Sequence, residues 1–187
     1  ISISIKEGEK MKTCAFTGHR PEGFVFGYDE DSPICKAVKI AVRNQIERLY
    51  DDGYKRFITG CALGVDIWAG ESVIDLKRTK KDIELIGAVP FKGQERGWTE
   101  EQRERYEALL KNCDDVVTVS KRFNKNAFYI RDRYMVDNAD IILAVYDDTR
   151  GYSGTGYTVR YAMGKDKPLI IIDPGTFEVT KRNFRTE

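Results

Sequence analysis

Three short segments carry the residue types and spacing of an anion- or nucleotide-binding site. The first is Gly60-Cys61-Ala62-Leu63-Gly64-Val65-Asp66, which runs on through Ile67-Trp68-Ala69-Gly70-Glu71. It follows the apolar run Arg56-Phe57-Ile58-Thr59 and leads into a helical pattern. A turn of small residues between a strand and a helix lets backbone N–H groups approach a ligand with no Cβ in the way. It also aims the positive end of the helix dipole at that ligand. The second segment, Gly151-Tyr152-Ser153-Gly154-Thr155-Gly156, follows the strand-like stretch 140–146 and offers a similar backbone nest. No Gly-Lys-Thr follows it, so it is not a Walker A loop, and the Gly-x-Gly-x-x-Gly fingerprint is absent too. The third, Thr17-Gly18-His19-Arg20-Pro21, combines a hydroxyl, a glycine and a guanidinium, which suit phosphate or carboxylate recognition. A polar loop with Arg20 solvated or paired to an acid is the alternative.

Further candidates sit near these segments. Asp66 falls in the first helical turn, where a carboxylate either favours the dipole or receives ribose hydroxyls. Glu71 lies five residues on, roughly 140° around an ideal helix, so the two acids share no face. Pro90-Phe91, Gln94 and Trp98 follow a strand and could hold a base by stacking and hydrogen bonding; Trp98 could equally pack on the sheet edge. Arg131 and Arg133 flank Asp132 on a helical pattern and would form an anion pocket if both pointed inward. His19 is the sole histidine and has no visible catalytic partner.

The elements that must position these residues are legible from apolar patterning. Strands are expected at 13–17, 56–59, 83–89, 115–119, 140–146 and 168–172. Helices are expected from Pro33 to just before Gly53, and over 64–78, 100–112, 127–138 and 155–164. The strands are continuous apolar runs without in/out alternation, as strands buried on both faces are. The fold expected is α/β: a single doubly wound, mainly parallel sheet with helices on both faces. In such sheets ligands bind beyond the carboxyl ends of the strands, near the switch in strand order. Thr17–Arg20, Gly60–Asp66, Pro90–Trp98 and Asp147–Thr155 all fall there, so the topology is expected to gather them on one edge. The domain is expected over 11–175, with 1–10 an N-terminal extension or expression remnant and 176–187 a polar, weakly specified tail.

Composition narrows the class. Lys+Arg at 31 against Asp+Glu at 30 leaves a net charge of +1, which argues against nucleic acid as the main partner. Four widely spaced cysteines without Cys-x-x-Cys, and one histidine, point to free thiols in a reducing, cytoplasmic setting and to no metal site. No apolar run approaches the ~20 residues that span a bilayer.

Taken in order, Thr17-Gly18-His19-Arg20-Pro21, Gly60-Cys61-Ala62-Leu63-Gly64-Val65-Asp66, Pro90-Phe91 with Gln94 and Trp98, and Arg131-x-x-x-Met135-Val136-Asp137-x-x-Asp140 resemble the YpsA-like family. That family is a branch of the SLOG superfamily of Rossmann-like proteins, and the likeness runs from about Met11 to Pro174. The resemblance implies a nucleotide-derived small molecule, such as an ADP-ribose- or NAD-like ligand, at the sheet edge. No cofactor is otherwise implied, and homo-oligomerisation is left open. The ligand-binding set so implied is Thr17, Gly18, Arg20, Gly60, Gly64, Asp66, Glu71, Gln94, Trp98, Arg131, Ser153, Gly154 and Thr155. The Gly60–Asp66 turn is also similar to one in the single-strand-binding DprA proteins. Arg131-x-x-x-Met135 with Ser153-Gly154-Thr155 is similar to the LOG phosphoribohydrolases. Those enzymes carry a glutamate after two intervening residues, Gly-Thr-x-x-Glu, where this chain has Thr158. A hydroxyl cannot stabilise an oxocarbenium-like centre as a carboxylate can. Asp132 stands where YpsA-like relatives are expected to have Asn. A binding, regulatory or sensor role is therefore expected, with a nucleotide N-glycosidase using Asp66 or Glu71 as the alternative enzyme and a DprA-like strand binder as the third reading.

Overall fold

A computed structural model of the protein describes residues 11–149 and 151–184. Among these residues, strands and α-helices alternate along the chain as far as the sixth strand: β1 (Lys12–Gly18), α1 (Pro33–Asp51), β2 (Tyr54–Thr59), α2 (Val65–Lys77), β3 (Glu84–Phe91) and α3 (Glu100–Lys111). The second half adds β4 (Asp115–Ser120), α4 (Ala127–Asp137), β5 (Ile141–Val145), α5 (Gly154–Gly164), β6 (Leu169–Ile172) and β7 (Val179–Arg182). The sheet order is β4-β3-β2-β1-β5-β6-β7. All pairings are parallel except β6 with β7.

The strand sequences explain why both faces must be covered. Cys14 and Phe16 of β1 pack with Phe57, Leu85, Ile141 and Leu143 against α1, α2 and α3. The alternate residues Ala15, Ile58, Ile142 and Ala144 pack against Met135 and Val136 of α4 and Val159 and Ala162 of α5. Successive strand side chains point to opposite faces, so a strand sandwiched between helix layers needs apolar residues throughout. All five residues of β5 are buried accordingly. The doubly wound, mainly parallel sheet expected from patterning is the fold observed.

Two boundaries differ from expectation for identifiable reasons. β3 runs through Pro90 to Phe91 instead of stopping before the proline. Its pairing with β2 ends at Gly87, whereas that with β4 continues to Phe91. Pro90 thus lies where one neighbour is missing, and its absent N–H costs nothing there. The stretch read as a polar tail from 176 contributes β7, whose four residues are all exposed and pair antiparallel with β6. A polar edge strand carries no apolar run to announce it, and its Lys181 and Arg182 suit an edge that must not recruit another strand. The extension read at 1–10 lies outside the described residues.

Among the described residues, no helix is long and apolar enough to cross a membrane. Cys14, Cys35 and Cys61 are buried, Cys113 is half-buried, and all four are free.

Candidate functional site

The chain leaves β1 toward β2 on one side of the sheet and leaves β5 toward β6 on the other. Neighbouring connections therefore diverge at the β1/β5 pair, and their divergence opens a crevice at the strand C-termini. A cleft of about 510 Å³ lies there. From β1 and the loop after it come Phe16, Thr17, Gly18, His19, Arg20 and Glu22; from the α2 side come Ala62 and Asp66. The α4 side gives Lys125, Phe128, Tyr129, Arg131, Asp132 and Met135, and α5 gives Ser153, Gly154, Thr155 and Thr158. The volume falls within the range of small-molecule sites.

The start of α5 is built to face this space. Ser153 is extended, and its hydroxyl accepts from the Gly156 N–H at 3.0 Å, capping the helix. The first-turn amides of Gly154 and Thr155 point along the axis toward the cleft, where the dipole favours an anion. The Thr158 hydroxyl donates to the Gly154 carbonyl at 3.1 Å, which ties it into the helix backbone. On the opposite wall, Arg20 is exposed, with its guanidinium 5.1 Å from the Phe128 ring centre. Lys125 adds a second rim cation.

The floor has a different character. Arg131 is buried, and its Nη1 donates to the Gly60 carbonyl and sits 3.7 Å from Asp66 Oδ2. Its Nε donates to Asp132 Oδ1 at 2.7 Å. Burial works against the Arg131 charge, but Asp132 and Asp66 outweigh it and hold its pKa above the ordinary value. Desolvation pushes the Asp66 carboxyl up to about 6, against the pull of Arg131 and with help from the Asp132 charge. Two carboxylates around one guanidinium make a floor of hydrogen-bond acceptors, suited to sugar hydroxyls more than to phosphate.

The loop from β2 to α2 is shaped by the same groups. The Thr59 hydroxyl donates to the Asp66 carbonyl at 2.7 Å and receives the Cys61 N–H at 3.2 Å. The Asp66 carboxylate accepts the Ala62 N–H at 3.4 Å. Cys61 is held at φ 56°, a left-handed conformation a non-glycine residue adopts only where its surroundings enforce it.

Thr17, Gly18, Arg20, Asp66, Arg131, Ser153, Gly154 and Thr155 of the sequence-derived set are thus brought together around one cleft. Gly60, Gly64, Glu71, Gln94 and Trp98 are not among its walls, and each departure has a physical reason. Gly60 lies behind Arg131: a Cβ there would overlap Nη1 and come within 2.5 Å of Asp66 Oδ2. Gly64 packs on the backbone of His19 and Arg20. The Gln94 amide donates to the Cys61 carbonyl at 3.5 Å, supporting the loop from behind. Trp98 packs edge to face on Tyr106, with centroids 5.4 Å apart, against the core.

Glu71 is committed elsewhere. It accepts a two-pronged contact from Arg105 of α3, at 2.6 and 2.8 Å. Arg105 also donates to Glu30 at 2.7 Å, and Glu30 accepts from Trp68 Nε1 at 2.9 Å. Burial alone would raise the Glu30 carboxyl, but hydrogen bonds from Arg105, Lys39 and Trp68 prevail and hold it down at about 2. Glu71→Gln is therefore expected to leave ligand affinity within about twofold while costing about 1 kcal/mol of stability, as a half-exposed pair does. Calorimetric titration beside urea denaturation checks both.

Arg133, unlike Arg131, points away from the cleft onto Tyr157. His19 is buried, and its Nε2 accepts the Asp147 N–H at 3.2 Å, an arrangement that fixes the ring between the β1 and β5 ends. Asp140 serves the fold too, accepting the Thr13 N–H at 2.8 Å. The cleft-lining side chains that sequence reading passed over include Glu22, Lys125, Phe128 and Tyr129. The signal for Phe128 was there: Phe128, Arg131, Asp132 and Met135 follow the i, i+3, i+4, i+7 spacing of one helix face. Among the described residues, no group of three His, Cys, Asp or Glu side chains is arranged to hold a metal ion.

Comparison with known proteins places this chain in a family. Residues 14–174 match the family model YpsA, described as the YspA SLOG family. A UPF0398 protein of Bacillus thuringiensis (strain Al Hakam) is 34% identical over 143 residues, covering 75% of this chain and 77% of that protein. A UPF0398 protein of Bacillus cereus (strain AH187) matches to the same extent. Among solved structures, TM1055 aligns with a TM-score of 0.53 at 16% identity, covering 85% of this chain and 72% of that one. DNA processing protein A from Helicobacter pylori, described for its single-stranded DNA binding mode, aligns with a TM-score of 0.59 at 20% identity, covering 90% of this chain and 68% of that one. Likeness at such identities concerns the fold alone. With the model matched across nearly the whole patterned region, and relatives above 30% identity over three quarters of the chain, the protein belongs to the YspA SLOG family.

Proposed function

We propose that the protein binds a nucleotide-derived small molecule in the β1/β5 cleft and acts as a sensor or regulatory module that does not turn it over. The observation that carries this reading is the division of the cleft. Donors at the rim (Arg20, Lys125 and the start of α5) face acceptors at the floor (Asp66 and Asp132 around Arg131). A phosphate on a ribose needs that pairing: cations and amide N–H groups for the anion, carboxylates for the hydroxyls. Absence of turnover is supported by Thr158, whose hydroxyl sits at the position of the LOG-family glutamate and donates to Gly154.

Isothermal calorimetry with ADP-ribose, NAD and AMP, alongside chromatography for released base or ribose phosphate, tests the reading. Saturable binding without product is expected. Arg20→Ala is expected to weaken binding by roughly ten- to a hundredfold, the worth of one charge-assisted hydrogen bond, on the order of 1.5–3 kcal/mol. Arg20 is exposed, so its removal leaves the fold intact for the measurement.

A second reading, cleavage at the ribosyl centre, is favoured by one observation: Asp66 is a buried cleft carboxyl raised to about 6, the range of a general acid near neutrality. Steady product release that disappears in Asp66→Asn would establish it over the first. Glu71, held by Arg105, has no part in that reading. Strand binding of the DprA kind would instead give an affinity that falls steeply with salt.

A further inference from the structure

Beside the cleft lies a second hollow of about 370 Å³, walled by Asn126, Tyr129, Ile130, Arg133, Tyr152 and Tyr157. Tyr129 lines both spaces, and Tyr152 immediately precedes Ser153, the cap of α5. The hollow therefore continues from the proposed phosphate end of the cleft. Its walls are aromatic and cationic. Tyr129 and Tyr157 meet at a steep angle with centroids 4.6 Å apart, and Tyr157 stacks on Tyr161 at 6.4 Å and 12°. The Arg133 guanidinium lies 5.8 Å from the Tyr157 ring centre and 5.6 Å from that of Tyr161, and donates to the Tyr157 hydroxyl. Tyr152 is 79% exposed, and Arg160 sits 5.2 Å from its ring centre.

Tyr129, Tyr152 and Tyr157 lie outside the hydrophobic core clusters, while Tyr161 packs against the cluster beneath α4 and α5 and anchors the stack. Tyrosines held in orientation by guanidinium groups, at the mouth of an anion-binding cleft, present flat π surfaces and cations together. Such surfaces recognise planar heterocycles by stacking.

We infer that this hollow is a second base-stacking subsite, and that the ligand class is a dinucleotide-type molecule with two heterocyclic bases bridged by ribose and phosphate groups. One nucleoside occupies the cleft over the Asp66–Arg131–Asp132 floor. The bridging phosphates lie at the start of α5 near Arg20, and the second base rests on Tyr152 with Tyr129 and Tyr157. The inference rests on the reading of the cleft as a nucleotide site and goes beyond it by choosing a two-base ligand over a one-base ligand.

The test uses the full chain and two matched probes, diadenosine diphosphate and ADP-ribose. Both carry a pyrophosphate between two riboses, and they differ by one adenine. Calorimetry is expected to give diadenosine diphosphate an affinity about tenfold higher. In Tyr152→Ala, an exposed position, that preference is expected to vanish while ADP-ribose affinity stays within about twofold. Equal affinities in the wild type, or equal weakening of both probes by Tyr152→Ala, overturn the subsite and leave the cleft reading standing. Failure of both probes to bind at millimolar concentration overturns the cleft reading and the subsite with it. A ten-base DNA strand that binds tenfold tighter than diadenosine diphosphate overturns the small-ligand class in favour of a continuous strand.

Discussion

Arg131→Ala is expected to lower the unfolding free energy by about 3–5 kcal/mol, the cost of removing one partner from a buried charge cluster. The guanidinium lies in ion-pair range of both Asp66 and Asp132, and it also donates to the Gly60 carbonyl. Its loss leaves the Asp66 and Asp132 carboxylates and the Gly60 carbonyl without this partner. The penalty has a defined pH dependence. Asp66 sits at about 6 in the folded protein against ~3.9 in an unfolded chain. The folded state thus keeps a proton that the unfolded state releases. The stability from this group is fully present below about pH 4 and is lost as pH rises through about 6. Without Arg131 the carboxyl rises further, so the Arg131→Ala penalty is expected to be larger at pH 7.5 than at pH 4.5. Urea denaturation of both proteins at the two pH values reads this directly. An equal penalty at both would mean that Asp66 is not the group left stranded. Asp66→Asn with Arg131→Met is expected to cost less than the sum of the single changes, since the residues are in contact.

Gly64→Ala is expected to cost on the order of 2–4 kcal/mol from two additive sources. The residue caps α2 at φ 91°, where an L side chain is strained, and a Cβ would lie 2.7 Å from the His19 carbonyl oxygen. That oxygen belongs to backbone and cannot swing aside. The loop after β1 would be displaced from α2, moving Arg20 with it, so ligand affinity is expected to fall alongside stability. A Tm unchanged to within about 2 °C would contradict the close packing of these two loops.

The legibility of this molecule in its sequence follows from how each part is stabilised. The strands of the parallel core were readable because burial on both faces demands continuous apolar runs such as Ile141-Ile142-Leu143-Ala144-Val145. β7 was not, because Val179–Arg182 is held by edge pairing with β6 and carries no apolar demand. Parallel topology puts the C-termini of β1 to β6 on one edge, which is why Thr17, Arg20, Asp66 and Ser153–Thr155 can be gathered from the sequence. The roles of Glu71 and Gln94 were not legible, since they depend on partners distant in sequence. Arg105 is 34 residues from Glu71, and Cys61 is 33 from Gln94. The division of labour between Arg131 and Arg133 also escaped spacing. Two residues apart on a helix, they face away from each other by roughly 200°, and only packing decides which turns inward.

The most direct test of the cleft as the ligand site is a two-dimensional amide NMR titration of the full chain with ADP-ribose. The expected result is saturable shifts at Thr17, Gly18 and Arg20, at Ala62, and at Gly154, Thr155 and Gly156. Amides of β4, β7 and the exposed face of α1 are expected to stay unmoved. Shifts confined to residues away from the β1/β5 edge, or none at millimolar ligand, would contradict the proposed site.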